Sequence, residues 1–336
     1  MSRTHLFLAL ALSLSAASAC DEALDSDFAA DDDIAFRPGG FGSSGLKLNT
    51  NALGDHPLHE LNRKGEIHEN VELVAVYIRT LYKDKVIYLK LEEQWSEKGQ
   101  LYGRIQGTIY KGKDFVGSRW DINTYGGGIV KRMMTVHSYR YDPADGNHKY
   151  VFAYPKDATY GMHFYTKKYQ YIKDSNMLAA CANESGEGLE AVVYEDLHVD
   201  MTSGYVSQKD SLINIACLDA GIGKAALWGY RPWDIGYYQF MGAIRVIRAD
   251  YCGDGDSWTR AGTALDVEDK WGINTFFDPT LKTETLWTPK GAACVTRPRR
   301  PEFQLTGVEC GGWKPPECKD AKIGDLGDTY YMTKAP

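Results

Sequence analysis

Cysteine is the residue type with the most evident chemistry in this sequence, and the seven cysteines divide into two groups. Cys20 follows a run of small residues near the N-terminus. The other six lie in the second half of the chain, at Cys181, Cys217, Cys252, Cys294, Cys310 and Cys318. An odd count leaves one thiol outside any set of disulfides. If Cys20 carries a different modification, the other six can form three disulfides, which an oxidising compartment favours.

The segment before Cys20 has the features of an export signal. Met1–Arg3 is a short positive region, Leu6 to Leu14 is apolar, and four small residues ending at Ala19 suit a signal peptidase. Cleavage before Cys20 would give the N-terminal cysteine on which bacterial lipoproteins carry their lipid. We therefore predict a lipid-anchored protein of the cell envelope. The alternative is a secreted protein with Cys20 as a spare thiol.

The pairing of the other six cysteines is open, because six cysteines allow 15 connectivities. Cys310 and Cys318 are close in sequence, and glycines and prolines between them can turn the chain. A local disulfide is therefore expected there. The resulting prediction is Cys310–Cys318, Cys252–Cys294 and Cys181–Cys217.

The surroundings of Cys252 suggest further chemistry. Cys252 follows a predicted helix, whose C-terminal dipole disfavours a thiolate, so a disulfide is favoured over a nucleophile. Asp250, Asp254 and Asp256 alternate with glycines and could hold a hard cation. Their spacing is not that of an EF-hand, and Asp and Gly are ordinary turn residues. The pair Asp254 and Asp256 could also share acid and base work in a hydrolase.

A second group of candidate metal ligands lies near the N-terminus. It contains His56, His59, Glu60, His68 and Glu69. No His-Glu-x-x-His pattern is present, and the group borders a segment of low-complexity composition. We therefore predict no metal ligands and no cofactor. A Gly-x-Ser-x-Gly nucleophile motif is also missing from the sequence.

Composition limits the class of protein. The chain has 336 residues, is 43% hydrophobic and carries a formal charge of −7, which suits two domains or one large one. The negative charge argues against nucleic-acid binding, and no second apolar run is long enough to span a membrane. Residues 20–61 are acidic and then rich in Gly and Ser, as in a flexible tether. We predict a signal peptide at 1–19, the tether at 20–61, a β-rich domain at 62–180 and a second domain at 181–336.

The residues from 71 to 180 have the pattern of many short strands. Val71–Leu81 and Val86–Leu91 flank a hairpin turn at Lys83–Lys85. Glycines recur every four or five residues between Leu101 and Trp120 and predict turns. Further strands are predicted at Ile129–His137, Tyr150–Tyr154 and Phe164–Ile172. This region is predicted to be a β-sandwich or barrel-like.

The residues from 181 onward add helices. Asp219–Trp228 predicts a short helix ended by Gly229. Asp234 is expected to cap a longer helix that ends at Gly253. Its apolar face is formed by Phe240, Ile244, Ile247 and Tyr251. The fold class is therefore α+β and mostly β, with a disulfide-stapled α+β domain at the C-terminal end.

Two further groups of residues have a functional and a structural interpretation. The aromatic residues between Trp228 and Phe240 could stack on sugar rings if exposed, but we predict that they build a core. Arg297, Arg299 and Arg300 stand among prolines, and we predict a solvated extended segment there.

Two segments carry a resemblance to a known family. Ala249–Gly255 reads Ala-Asp-Tyr-Cys-Gly-Asp-Gly, and Trp228–Trp233 reads Trp-Gly-Tyr-Arg-Pro-Trp. Both resemble the ADYC-domain proteins, which are bacterial exported or lipid-anchored proteins. Further matching positions are Thr259, Gly262-Thr263, Gly272-Ile273, Trp287, Gly291–Cys294 and Arg297–Arg300.

The resemblance covers most of residues 100–318 and implies architecture and location, but no activity. We expect a non-catalytic binding or structural module, attached to the membrane by its N-terminal lipid, with an envelope polysaccharide or protein as partner and no nucleic acid. The alternative is an envelope hydrolase that uses Asp254 and Asp256.

Overall fold

The computed structural model describes residues 45–53, 55–156, 177–182, 189–259, 263–300 and 307–335. The export signal, Cys20, most of the tether and the predicted strand Phe164–Ile172 lie outside the described residues. Strands make up 47% and helices 11% of the structure, which confirms a mostly β chain. Within the described ranges, no helix is long and apolar enough to cross a membrane.

Eighteen strands follow one another in the described part of the chain. They are β1 (Ala52–Leu53), β2 (His56–Pro57), β3 (Glu60–Asn62), β4 (Val71–Tyr82), β5 (Lys85–Lys90), β6 (Glu93–Glu97), β7 (Gln100–Ile105), β8 (Thr108–Lys111), β9 (Arg119–Tyr125), β10 (Ile129–Asp142), β11 (Asn147–Pro155), β12 (Met177–Ala179), β13 (Ala191–Val199), β14 (Val206–Cys217), β15 (Asp266–Asp269), β16 (Lys282–Thr288), β17 (Gly291–Val295) and β18 (Tyr331–Ala335). A 3-10 helix spans Gly112–Phe115.

These strands form antiparallel sheets. The largest has the order β3-β14-β13-β11-β10-β9-β4-β5, with β12 beside β11. A three-stranded sheet contains β6, β7 and β8, and a four-stranded sheet has the order β15-β18-β16-β17. The predicted division at residue 180 stays a prediction, and the large sheet contains strands from both sides of it.

The predicted first hairpin is confirmed as β4 and β5. Its turn residues, Lys83 and Asp84, have φ angles of 48° and 61°, as a two-residue turn between twisted strands requires. The prediction that every glycine of the next region is a turn was wrong for Gly103. This glycine lies inside β7, where an added Cβ would stand 2.5 Å from the Leu91 side chain. Leu91 packs directly on this glycine, and a side chain here would have to displace it.

The first half of β13, Ala191–Tyr194, and the second half of β14, Ser211–Cys217, are buried on both faces. Val192 and Tyr194 point into a core that also contains the helices, whereas Ala191 and Val193 point into the core of the N-terminal strands. Successive side chains of a strand point to opposite faces, so alternate residues serve different cores. This arrangement places one hairpin between the two cores.

Three helices follow β14: α1 (Gly221–Leu227), α2 (Pro232–Ile235) and α3 (Tyr237–Arg248). The predicted first helix is confirmed by α1. The predicted bounds of the long helix were wrong at both ends. Asp234 lies in α2, where its carboxylate accepts a hydrogen bond from Arg231, and it does not cap the long helix. α3 begins after Gly236. α3 ends at Arg248 because Ala249 takes a left-handed conformation with φ of 52°, four residues before Gly253.

The aromatic residues around α2 and α3 belong mainly to the core, as predicted. Tyr230 and Phe240 are fully buried, and Trp228, Trp233 and Tyr237 pack against the same core while partly buried.

The structure pairs all six described cysteines. Cys181–Cys217 is as predicted, but Cys252 pairs with Cys310 and Cys294 with Cys318, so the other two predicted pairs were wrong. Cys310 and Trp313 exchange backbone hydrogen bonds, which close a tight turn well before Cys318 is reached. Cys294, on β17, instead meets Cys318 in a small buried cluster.

Candidate functional site

The family-like segment Ala249–Gly255 turns back onto the helix that precedes it. Asp250 is buried, and its carboxylate forms an ion pair with Arg245 of α3. The same carboxylate accepts hydrogen bonds from the backbone N–H groups of Gly253 and Gly255, at 2.8 and 3.1 Å. Burial raises the pKa of the Asp250 carboxyl, against the opposing effect of Arg245. Asp250 therefore organises the turn from inside the protein.

Gly255 is required where this turn meets a neighbouring loop. Its φ is 96°, and an added Cβ would lie 1.9 Å from the carbonyl oxygen of Thr202. A side chain would therefore force two backbone segments apart.

Tyr251 joins a second buried ion pair. Its hydroxyl donates to Glu284 and accepts from the backbone N–H of Arg299 at 2.8 Å. Burial raises the pKa of Tyr251 well above its usual value, so the hydroxyl keeps its proton. Glu284 and Arg299 are both 0% exposed and their charged groups are 3.1 Å apart. The prediction of a solvated arginine segment was therefore wrong for Arg299.

Arg299 also serves the end of α3. Its guanidinium donates to the carbonyl oxygens of Val246 and Ile247, at 3.0 and 3.3 Å. The last carbonyls of a helix have no partner within the helix, and a cation there is favourable. One side chain thus neutralises Glu284 and caps the helix.

The other polar residues of the segment lie outside this network. Asp254 and Asp256 are exposed on a turn, where the backbone N–H of Asp256 donates to Asp254 at 3.0 Å. Among the described residues, Asp250, Asp254 and Asp256 do not form a group of metal ligands. Cys252 is in a disulfide. Asp254 and Asp256 are therefore solvent-exposed side chains of a turn.

A different cluster lies at the edge strand β3. The Glu60 side chain is 1% exposed, and its Oε2 stands 2.7 Å from His68 Nε2 and 2.8 Å from His198 Nδ1. Its other oxygen accepts from the backbone N–H of Val199 at 2.7 Å and from Asn214 at 3.2 Å. Burial alone would raise the pKa of Glu60, but hydrogen bonds from His68, His198 and Val199 outweigh it and lower that pKa. Glu60 is thus a buried carboxylate.

Sheet pairing and one tight turn bring these residues together. β14 places Asn214 opposite Glu60, and β13 carries His198. His68 and Val71 exchange two backbone hydrogen bonds of 2.8 Å across a two-residue turn. The turn residues, Glu69 and Asn70, have φ of 47° and 64°. Such angles suit glycine or asparagine, so Glu69 is an unusual residue for its place.

The structure brings together three of the five residues that the sequence suggested. Glu60, His68, Glu69 and His198 each offer one ligand atom, and these atoms all lie within 4.8 Å of one another. Among the described residues, His56 and His59 do not join this group. The sequence did not predict His198 as a member of this group, because 138 residues separate it from Glu60. Only the order of the strands in the sheet places the two residues side by side.

The fold and the cysteines indicate the general class to which this protein belongs. The chain is mostly β, and its three disulfides indicate an extracytoplasmic protein. The particular family follows from a comparison with protein families. The ADYC domain matches residues 112–301, more than half of the chain, so the chain belongs to the ADYC domain family. No curated protein and no solved structure matches it. The matched residues include the Ala249–Gly255 segment and His198, whereas Glu60 and His68 precede them.

Proposed function

We propose that this protein is a lipid-anchored protein of the bacterial cell envelope and acts there as a non-catalytic binding or structural module. The observation that supports this function best is the use of the Ala249–Gly255 segment. Asp250 and Tyr251 are buried in internal hydrogen bonds and Cys252 is in a disulfide. A segment used in this way stabilises the fold, which favours a binding or structural module over a catalytic site.

The anchor is tested at Cys20. Cys20→Ala should abolish the labelling of the protein by a radioactive or alkyne-tagged fatty acid and release it from the membrane fraction. Cys252→Ala made together with Cys310→Ala is the matched control, since it removes cysteines but leaves the lipidation position. A native chain that takes up no fatty acid would contradict the lipid anchor and support the secreted alternative, whereas labelling of the Cys20→Ala protein would place the lipid at another residue.

The absence of catalysis is tested with Asp254 and Asp256. The purified protein and a variant with both Asp254→Asn and Asp256→Asn are compared on ester, phosphomonoester, glycoside and peptidoglycan substrates. We expect no turnover by either protein above a buffer control. Turnover by the native chain that the double variant loses would establish the hydrolase alternative.

The proposed partner is an envelope polysaccharide or protein, and sedimentation with purified sacculi separates the two. The Cys20→Ala chain is used so that lipid makes no contribution. Saturable sedimentation with protein-free sacculi indicates a polysaccharide partner, and sedimentation only with envelopes that retain their proteins indicates a protein partner. If the chain sediments with neither, the binding role is wrong.

A further inference from the structure

The Glu60 cluster combines a buried negative charge with imidazole ligands. Two imidazoles and carboxylates are a ligand set typical of Zn²⁺ and related transition metals, whereas Ca²⁺ prefers oxygen ligands alone. We propose that Glu60, His68 and His198, together with the nearby Glu69, bind one divalent transition-metal ion, for which Zn²⁺ is the probe. This inference does not depend on the lipid anchor or on the module function.

The buried charge of Glu60 favours a cation at this place. A buried carboxylate is costly unless a cation pairs with it. Elsewhere in the described part of the chain, buried Asp250 is paired with Arg245 and buried Glu284 with Arg299. The ion-pair partners of Glu60 are instead two histidines, which are charged only when protonated. A divalent cation would supply the missing positive charge.

When an ion binds, the proton on the coordinating nitrogen of each histidine can move to the other nitrogen of the same ring. Lys209 Nζ lies 3.3 Å from His68 Nδ1. An ammonium group only donates, so His68 Nδ1 accepts and its Nε2–H donates to Glu60. A bound ion would take the lone pair of Nε2, and the ring proton would move to Nδ1. The corresponding shift on His198 goes from Nδ1 to Nε2. Each proton moves within its own ring, so this rearrangement releases no net proton.

Lys209 must then leave His68, because a protonated Nδ1 cannot accept its hydrogen bond. Lys209 is exposed and can turn into solvent. Its positive charge also repels the ion. Lys209 therefore opposes metal binding. Replacing Lys209 by an uncharged residue should increase the affinity of the site for the metal ion.

The ligand atoms are close to the spacing that an ion needs. Ligands about 2.0–2.1 Å from Zn²⁺ in a tetrahedral site lie roughly 3.3 Å apart. Glu60 Oε2 is 2.7–2.8 Å from each imidazole nitrogen, so small movements suffice. His68 and His198 are 11% and 23% exposed, which leaves them the freedom to move. Val199 and Asn214 hold the other oxygen of Glu60, as outer-shell partners orient a ligand.

The test is equilibrium dialysis of the full mature chain, carrying Cys20→Ala and freed of metal by a chelator, against Zn²⁺ alone. We expect one high-affinity Zn²⁺ per chain. His198→Gln and Glu69→Gln should weaken that binding by at least the roughly tenfold that loss of an outer-shell contact costs. Lys209→Gln should strengthen it by roughly tenfold, because one like charge near the ion is removed.

His148→Gln is the matched control, since His148 bonds Tyr139 away from the cluster and should not affect binding. Thermal melting without metal confirms that each variant is folded, and Glu69, being exposed, offers a variant that keeps the core intact. A second readout is the visible spectrum of bound Co²⁺, which should change in His198→Gln. The proposal is overturned if the native chain binds no Zn²⁺. It is also overturned if His198→Gln and Glu69→Gln bind Zn²⁺ as the native chain does.

Discussion

Glu284 and Glu60 are both buried carboxylates, and their partners differ. Glu284 lies against the guanidinium of Arg299 and the hydroxyl of Tyr251, in a cluster with no exposure to solvent. Glu60 lies against two imidazoles that keep partial contact with solvent. Arginine stays protonated in proteins, whereas an imidazole can change its proton position and can ligate a metal.

This difference indicates that the two clusters serve different purposes. The Glu284 cluster joins α3, β16 and the segment at Arg299 into one fixed arrangement inside the region matched by the family. The Glu60 cluster lies at an edge strand and includes the exposed Glu69. Burial of a charge alone therefore does not identify a functional site. The chemical nature of the partners and their exposure to solvent distinguish a candidate functional site from a structural ion pair.

The largest effect is expected from Arg299→Met. Loss of this guanidinium leaves Glu284 charged and buried and removes the cap of α3, which should cost about 3–5 kcal/mol of unfolding free energy. Urea denaturation measures the change. Arg104→Met is the control, because Arg104 and Glu93 form an exposed pair and its loss should cost about 1 kcal/mol or less. Equal losses in the two variants would contradict the structural role of the Glu284 cluster.

The disulfides that surround the Glu284 cluster should come next. Replacing both Cys252 and Cys310 by alanine opens a loop of 58 residues, and replacing Cys294 and Cys318 opens one of 24. In the chain-entropy model these changes cost about 4 kcal/mol and slightly less, respectively. Denaturation of the two double variants checks the order, and peptide mapping without reductant checks the pairs. A peptide linking Cys310 to Cys318 would contradict the structure.

Glu60→Gln should have an intermediate effect in metal-free protein. The amide keeps the shape but weakens several hydrogen bonds, which should cost about 1–3 kcal/mol at neutral pH. Since folding lowers the pKa of Glu60, its contribution is present above its ordinary pKa of about 4.3 and is lost as the pH falls through the lower folded value. The native chain and the variant should therefore become similar in stability at acid pH. A difference that persists there would exclude ionised Glu60 as its source.

The smallest effect is expected at Asp254. Asp254→Asn changes an exposed turn and should alter the unfolding free energy by no more than about 0.5 kcal/mol. Asp250→Asn, four residues earlier, should cost about 1.5–3 kcal/mol because it removes a charged partner of Arg245. Thermal melting of both variants compares them. A larger effect at Asp254 than at Asp250 would reverse our interpretation of the segment.

Local patterns predicted much of the fold. The hairpin of β4 and β5, helix α1 and the mostly β class follow from alternation, turn residues and helical spacing, which act over a few residues. The end of α3 could not be predicted in the same way. Ala249 carries no sign of a left-handed conformation. The turn is held by local hydrogen bonds of Asp250 and by the distant Arg299, which bonds Tyr251.

Less of the candidate sites than of the fold could be predicted from the sequence. Arg299 has the sequence context of a surface residue, since prolines and arginines surround it. Its burial depends on Glu284, 15 residues before it, and on the end of α3. The pairing of Cys252 with Cys310 likewise depends on where strands and loops meet in space. Glu60, His68 and Glu69 are close in sequence, but the strand order that brings His198 to them is a property of the whole sheet.

The hairpin of β13 and β14 contributes side chains to both cores, and this should couple the unfolding of the two cores. Because Val192 and Val193 point to opposite cores, neither core can open without exposing one face of the same strand. Unfolding of this region should therefore be a single cooperative transition, with the slowest amide hydrogen exchange along these two strands. A fragment cut at residue 180 would lose β13, one of the neighbours of β11, and one side of its own core, and it should not fold alone.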